Sequence, residues 1–201
     1  PDGQLLVRIL LLAPQPFFQE RGTPIAVRML AQAMVESGHE VDLLTYHLGD
    51  DVEIPGCRIF RIPRIALIRK VPIGFSVAKL VCDGFLLFSL IKRVGKEKYD
   101  VVHAVEESAF FALLTRRLHR ARVVYDMDSS MPDQLIEKWP FLRSIAAPLY
   151  GLEKWLLRRA DRVVPVCQVL VQRAKLEKSA DRVILLEDFA LALPGESGVD
   201  R

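Results

Sequence analysis

The segment from residue 7 to residue 41 constrains the fold of this chain more than any other. It begins with an almost uninterrupted apolar run, residues 7–13 (VRILLLA), which is typical of a strand covered on both faces. Pro14 and Pro16 end this run, because proline has no amide hydrogen to donate to a sheet. Apolar residues then recur at helical spacing as far as Gly38, where a helix is predicted to end. This order of patterns along the chain predicts a strand, then a loop, then a helix.

The loop of this unit is a candidate anion site. Thr23-Pro24 is predicted to begin the helix, since the hydroxyl can cap free amides and proline fits the first helical position. A helix N-terminus beside a glycine, here Gly22, favours a bound phosphate. The unit has no G-x-G-x-x-G motif, and residues 41–46 do not end in an acid that could bind a ribose. A dinucleotide site is therefore not expected.

The same alternation of apolar runs and helical patterns continues along the chain. Further strands are predicted at residues 41–46, 57–62, 101–105, 122–125, 163–166 and 183–186, and further helices at residues 77–94, 109–119, 141–160 and 169–178. Strands that are separated by helices usually run parallel. The chain is therefore predicted to be an α/β protein with a Rossmann-like parallel β-sheet of about seven strands, flanked by helices.

The composition is that of a globular protein. Of the 201 residues, 51% are hydrophobic and 26% are charged, which excludes a disordered chain. The net charge of +3 is too small to indicate nucleic acid as a partner. The three cysteines are scattered without metal-ligand spacing, and no signal peptide is visible, so buried thiols and a cytoplasmic location are expected.

One segment has an unusual charge pattern. Residues 54–82 contain no acid, and their basic residues are interleaved with apolar ones: Arg58, Arg61, Arg64, Arg69, Lys70 and Lys79. The apolar helix predicted at residues 77–94 contains Lys79 and Asp83, which argue against a membrane span. Two interpretations remain open. The region is either a buried crossover helix preceded by a solvated basic loop, or a surface that contacts anionic lipid at the membrane.

Polar residues follow several of the predicted strands. They are Gly22-Thr23, His47, the segment from His103 to Glu107, and the segment from Asp126 to Ser130. In open parallel sheets, ligands bind outside the carboxyl ends of the strands. This arrangement predicts a ligand-binding α/β domain.

Several motifs resemble family 4 glycosyltransferases. Leu30-Ala31, then Gly38-His39-Glu40-Val41 and Leu44-Thr45, are similar to the first helix and second strand of that family. Residues 99–104 (YDVVHA) resemble its fourth strand. Residues 160–167 (ADRVVPVC) resemble its A-D-x-V-x-x-V-S segment, and Glu153 matches in the preceding helix. These similarities cover nearly the whole chain in the expected order.

The resemblance implies a two-domain, retaining enzyme of the GT-B fold, without a metal or other cofactor. Its partners would be a nucleotide-sugar donor, a sugar or lipid acceptor, and its own carboxyl-terminal domain. Residues 1–188 would form the amino-terminal, acceptor-side domain, and residues 189–201 would begin the interdomain linker. The donor-binding domain of the family is not in these residues, so this chain alone is predicted to be inactive.

The resemblance also implies roles for individual residues. Gly22 and Thr23 match the glycine loop that approaches the donor phosphates. Arg21 replaces the first glycine of that loop, and its guanidinium can bind a phosphate instead. His103 matches the first histidine of an H-x-H-E-like strand, and Glu106 keeps the acid, so both are predicted to be catalytic.

The stretch after the fifth strand departs from the family, which often has a histidine there. Asp128 is the best local substitute and is predicted to be catalytic, accepting a proton or a hydrogen bond from a hydroxyl group. The predicted acceptor-binding residues are His47, Glu107, Asp126, Ser129 and Ser130. Two structural roles remain open: Asp128 as an Asx cap of the following turn, and His103 as a buried histidine with satisfied hydrogen bonds.

Two other functions remain open. A GT-B nucleotide-sugar 2-epimerase would share the architecture but would need no separate acceptor pocket. A non-catalytic binding module, such as a receiver or a sugar-binding domain, would share the fold class. The receiver is disfavoured, because the end of the first strand lacks an acidic pair.

Overall fold

A computed structural model describes residues 6–19, 22–72 and 74–187. Six parallel strands form one sheet in the order β3-β2-β1-β4-β5-β6. They are β1 (Arg8–Ala13), β2 (Glu40–Thr45), β3 (Cys57–Arg61), β4 (Val101–Val105), β5 (Arg122–Met127) and β6 (Arg162–Pro165). The strand order reverses between β1 and β4, which opens a crevice at their carboxyl ends. The predicted α/β, Rossmann-like parallel sheet is confirmed.

Helices cover both faces of this sheet. In the described part of the chain the α-helices are α1 (Gly22–Glu36), α2 (Val77–Val94), α3 (Ser108–Leu114), α4 (Arg116–His119), α5 (Met131–Lys138), α6 (Ala146–Arg159) and α7 (Gln168–Glu177). Short 3₁₀ helices occur at Pro140–Ile145 and Ala180–Arg182.

The strand count differs from the prediction at one edge of the sheet. Residues 183–186 do not form a seventh strand; Val183 makes one isolated bridge with Val163. The amides of Ile184 and Leu186 donate to the carbonyls of Val163 and Pro165, at 3.0 and 3.1 Å. The segment therefore continues the edge beside β6 without forming a regular ladder.

Two predicted helices are interrupted. The helix predicted at residues 109–119 is broken into α3 and α4 at Thr115, whose hydroxyl donates to the carbonyl of Phe111 at 2.8 Å. The helix predicted at residues 141–160 begins with a 3₁₀ segment and becomes an α-helix only at Ala146. Helix α5 was not predicted, since its eight residues contain too few apolar positions to show a helical period.

Strand β1 lies at the centre of the core. Leu10, Leu11 and Leu12 have no exposed surface, and their alternation sends neighbouring side chains to opposite faces. Leu10 and Leu12 pack in the cluster formed with α2, α3, α6 and α7, whereas Leu11 packs in the cluster formed with α1. Replacing any of these leucines by alanine costs about 2–5 kcal/mol of stability. The apolar residues of β1 therefore pack against helices on both faces of the sheet.

The loops after β1 and β2 are fixed to each other. The Phe17 amide donates to the Leu48 carbonyl at 3.0 Å. Gly49 has φ +108°, and a Cβ there would lie 2.4 Å from the carbonyl carbon of Phe17, so only glycine fits. The Arg61 guanidinium donates to the carbonyls of Leu48 and Asp50, at 2.9 and 2.7 Å. Arg61 therefore stabilises the loops rather than forming part of a free basic surface.

The cysteines are all free thiols. Cys82 is buried in α2, Cys57 is half-buried, and Cys167 is exposed before α7. The expectation of buried thiols is correct for Cys82 and wrong for Cys167, because the N-cap position of a helix at the sheet edge faces outward.

Within the described residues, every helix is too short or too polar to cross a bilayer.

Candidate functional site

Two cavities open at the carboxyl edge of the sheet. Cavity A, of about 630 Å³, lies between the loop after β1, the first turns of α1 and α2, and α5. Cavity B, of about 620 Å³, lies between α1 and the ends of β4, β5 and β6. Gly22 and Thr23, at the start of α1, line both cavities. The N-terminus of α1 therefore separates two spaces that open at the same edge.

Lys79 is the centre of a charged cluster in the wall of cavity A. It is only 7% exposed, donates to the Pro14 carbonyl at 2.8 Å, and forms an ion pair with Glu107. Burial alone would lower the pKa of Lys79, but the carboxylates of Glu107 and Asp83 raise it above its ordinary value. Lys79 therefore stays charged and joins α2 to the ends of β1 and β4.

Two further side chains complete this cluster beneath the cavity. Burial raises the pKa of Asp83 to about 6, although the Lys79 charge opposes the rise. The Tyr46 hydroxyl donates to the Asp83 carboxylate, and burial together with that carboxylate raises the pKa of Tyr46. Lys79 and Asp83 are four residues apart on α2, a spacing that puts both on one helical face. The sequence showed Lys79 and Asp83 as charges in an apolar helix and Glu107 after a predicted strand, but it did not show that these side chains meet.

Glu106 differs from its neighbours because its carboxyl group faces cavity A unpaired. Its backbone has φ 50°, in the left-handed region, and its amide donates to the Asp126 carbonyl at 2.9 Å. In the described part of the chain, the carboxyl group makes no hydrogen bond or ion pair. Burial raises the pKa of Glu106 to about 7; the Glu107 carboxylate adds to the rise and Lys79 opposes it. A carboxyl group of this kind can exchange a proton near neutral pH.

His103 and Asp126 form a pair on the α1 side of the sheet. The Nε2 atom of His103 lies 3.0 Å from Oδ2 of Asp126, and His103 is 5% exposed. Asp126 lines cavity B, whereas His103 lies in the sheet beneath it. The geometry matches a buried histidine with a satisfied hydrogen bond, which was one of the two roles left open.

The loop after β5 contains both cavity-facing and structural residues. Asp128 lines cavity B, and the N-cap of α5 is Ser130 rather than Asp128. The Ser130 hydroxyl donates to Oε2 of the buried Glu153 at 2.8 Å. Ser129 lines neither cavity. The Ser130 hydroxyl therefore stabilises the loop.

Of the remaining predicted site residues, some line a cavity and others do not. Gly22, Thr23 and Glu107 line cavity A. His47 lines neither cavity, and its Nε2 atom is 3.0 Å from the carbonyl of Ile68. Arg21 lies outside the described residues. Among the described residues, no three His, Cys, Asp or Glu side chains are grouped so that they could bind a metal ion.

A family model described as "Glycosyl transferase 4-like domain" matches residues 21–187. Among solved structures, sucrose-phosphate synthase from Thermosynechococcus elongatus is similar, with a TM-score of 0.66 and 19% identity over 92% of this chain and 48% of that one. CalG4, the calicheamicin glycosyltransferase, has a TM-score of 0.59 and 14% identity over 92% of this chain and 53% of that one.

A third similar structure is a ugt transferase from Siraitia grosvenorii in complex with UDP, with a TM-score of 0.57 and 8% identity over 90% of this chain and 50% of that one. No curated protein sequence matches the chain. The chain spans about half the length of these three solved structures. Identities this low show a shared fold alone, whereas the family model covers most of the sequence. The chain therefore belongs to the glycosyl transferase 4-like domain family, which confirms the predicted resemblance.

Proposed function

We propose that this chain is the acceptor-binding domain of a retaining glycosyltransferase that uses a nucleotide-sugar donor. The observation that carries this proposal is the position of the α1 N-terminus, since Gly22 and Thr23 line both cavity A and cavity B. A donor diphosphate bound there would lie beside the acceptor space. The carboxyl-terminal domain implied by the family would supply the other side of the donor site.

The start of α1 suits a diphosphate for two physical reasons. A helix of 15 residues carries about half a positive charge at its N-terminus, where free amides point outward. Apart from its chain neighbours and the backbone of its own helix, no atom of the described residues lies within 4 Å of where a Cβ of Gly22 would be, so a ligand can approach the backbone. Arg21 remains a proposed phosphate contact beside them.

Cavity A is the proposed acceptor site, with Glu106 as its catalytic carboxylate. The acceptor hydroxyl oxygen would form a bond to the anomeric carbon of the sugar, while the bond from that carbon to the diphosphate oxygen breaks. The diphosphate leaves with the electron pair, and Glu106 takes the hydroxyl proton. A pKa of about 7 allows Glu106 to accept this proton at neutral pH. Glu107, held by Lys79, would orient the acceptor.

Cavity B is the proposed space for the transferred sugar. Asp126 and Asp128 line it, and their carboxylates can accept hydrogen bonds from sugar hydroxyls. His103 would act through Asp126, which it contacts at 3.0 Å. We further propose a cytoplasmic location, no metal cofactor, and no activity of this chain without its carboxyl-terminal domain.

The test uses a protein that contains this chain together with its carboxyl-terminal domain. It would be incubated with a panel of nucleotide sugars and a cell extract as acceptor source, and nucleotide release and product masses would be followed. Release together with a glycosylated product is expected, and the Glu106→Gln variant should lose both. Nucleotide-sugar epimerisation with incorporation of solvent deuterium and no acceptor dependence would contradict transfer. Turnover by residues 1–201 alone would contradict the two-domain requirement.

A further inference from the structure

Helix α2 exposes an apolar face to solvent. Its buried side carries Lys79 and Asp83 among core residues, whereas the opposite side carries Val77, Leu80, Val81, Phe85, Phe88 and Ile91. Val77, Leu80 and Phe88 are 80, 72 and 61% exposed. Spacings of three and four residues put these side chains on one stripe along the helix. Exposed apolar surface of this extent is typical of a binding face.

Neighbouring elements extend the same kind of surface. Helix α4 packs against α2, and Leu118 of α4 and Leu114 of α3 are more than half exposed. Leu67, in the loop that leads from β3 to α2, is 96% exposed. In the described part of the chain, these side chains do not belong to the buried core.

The exposed charges of the chain segment that contains this face have one sign. Between Glu53 and Glu97 the sequence contains a single acid, Asp83, and that acid is buried. Apart from Arg58, the exposed basic residues of this region are Arg64, Arg69, Lys70, Lys92 and Lys96. Within the described residues, none of the five forms an ion pair. Their charges are therefore available to an anionic partner.

The other basic residues of the segment have structural roles. Arg58 pairs with the buried Asp42 at 2.7 Å, and Arg93 lies over the Phe60 ring at 3.3 Å from its centroid. The basic residues of this segment therefore fall into two groups: Arg58 and Arg93 stabilise the fold, whereas Arg64, Arg69, Lys70, Lys92 and Lys96 are exposed and make no ion pair among the described residues.

We propose that the outer face of α2, together with the loop of residues 63–70, binds the surface of an anionic membrane. Apolar stripe residues would enter the boundary between headgroups and acyl chains, and Arg64, Arg69 and Lys70 would contact lipid phosphates. A second copy of the chain fits this face less well, because the basic margins of two such faces would meet with like charges.

This surface is connected to cavity A. Val71 and Phe75, which follow the basic loop, and Lys79 in the first turn of α2 all line that cavity. A membrane bound to this face would therefore lie beside the acceptor space, and an acceptor held in the lipid could enter it. Membrane binding itself is independent of the proposed function; only the lipid-held acceptor rests on it.

Co-sedimentation of the chain with lipid vesicles tests the proposal. One set of vesicles contains phosphatidylcholine alone, and the other contains about one third phosphatidylglycerol. At low salt the chain should bind the anionic vesicles and remain unbound with the neutral ones. Binding should weaken as salt is raised, because salt screens the attraction between exposed charges.

Two matched pairs of variants distinguish binding through this face from non-specific effects of net charge and of exposed apolar side chains. The triple variant R64Q/R69Q/K70Q and the control R162Q/K175Q/R182Q each lower the formal net charge from +3 to 0. The first should lose affinity on the order of 100-fold, and the control should lose much less. Phe88→Ser should lose about tenfold, whereas Leu176→Ser, on the exposed side of α7, should bind like the unchanged chain. Circular dichroism establishes that each variant is folded.

Equal losses in the two triple variants would overturn the proposal, and so would equal binding to both kinds of vesicle. A dimer in sedimentation velocity that Phe88→Ser abolishes, without any vesicle binding, would also overturn it and assign the face to a second copy. In the protein that contains both domains, nucleotide release is measured in parallel with a soluble acceptor. Loss of vesicle binding with unchanged release separates failure of this proposal from failure of the proposed function.

Discussion

Two charged clusters in this molecule contain similar side chains but differ in what their carboxylates contact. The cavity cluster adjoins cavity A and contains Tyr46, Lys79, Asp83, Glu106 and Glu107. The helix cluster joins α5, α6 and α7 and contains Ser130, Asp133, Tyr150, Glu153 and Arg173.

The carboxylates of the helix cluster are paired. Glu153 accepts a hydrogen bond from Ser130 at 2.8 Å and forms an ion pair with Arg173 at 3.3 Å. Arg173 also reaches Asp133 at 2.8 Å. In the cavity cluster, by contrast, Glu106 has no such partner among the described residues. Paired carboxylates stabilise a fold, whereas an unpaired one costs stability and is kept where it serves a ligand. Four predictions test this difference.

The largest expected effect is on sugar transfer. In the protein that contains both domains, Glu106→Gln should lower kcat/KM by about 10²–10⁴-fold, because the amide cannot accept the acceptor's proton. Glu153→Gln is the matched control in the helix cluster, and its kcat/KM should stay within about threefold of the unchanged protein. Similar losses in both variants would remove the distinction between the clusters.

The next largest effect is on folding stability. Lys79→Met should lower the free energy of unfolding by about 3–5 kcal/mol, because Glu107 and Asp83 would remain buried without their cation. Urea unfolding of the chain measures this value. Adding Glu107→Gln should recover part of the loss, since it removes one of the unpaired charges. A loss below about 1 kcal/mol would mean that Lys79 does not hold the cavity cluster together.

The pH dependence of stability gives a smaller effect. The pKa of Glu106 is raised from 4.5 to about 7 in the folded chain, so the folded chain keeps a proton that the unfolded chain has lost between these values. Stability should therefore fall as pH rises through this window, by about 3 kcal/mol. Asp83, with a pKa raised to about 6, acts in the same direction.

Glu106→Gln should remove the Glu106 part of this fall. The variant should then be more stable than the unchanged chain at pH 8 and similar to it at pH 4. Thermal unfolding at a series of pH values provides the measurement. A variant that is less stable at pH 8 would show that the Glu106 carboxylate is favourably paired.

The smallest effect is expected in the loop after β5. Ser130→Ala removes the N-cap of α5 and the hydrogen bond to Glu153, and should cost about 1–2 kcal/mol of stability. Sugar transfer should be nearly unchanged. A fall of more than tenfold in kcat/KM at equal stability would instead support the predicted role of Ser130 in acceptor binding.

Local patterns in the sequence were sufficient to predict most of the fold. The apolar run at β1 and the helical spacing of α1 identified a strand and a helix, and Gly38 ends that helix with φ +82°. These features depend on neighbouring residues, so periodicity reveals them. The edge segment at residues 183–186 was predicted less well, because its pairing depends on a strand distant in sequence.

For the candidate site, the sequence indicated which loops are polar but could not assign the role of each side chain. It identified Glu106, Asp126 and Asp128, which line the cavities. It could not show that Ser130 caps α5 or that His47 contacts the carbonyl of Ile68. Residues of one type in one loop have the same sequence signature whether they face a ligand or their own backbone.

The sequence by itself determined that α2 is a helix with apolar residues all around it, because helical spacing depends only on neighbouring positions. Only the tertiary structure decided that the side with Lys79 and Asp83 is buried while the side with Phe88 is exposed. The partners of Lys79, the Pro14 carbonyl and Glu107, lie 65 residues before it and 28 residues after it in the sequence. Folding brings the two together at the carboxyl ends of β1 and β4, where they compensate the cost of burying a charge.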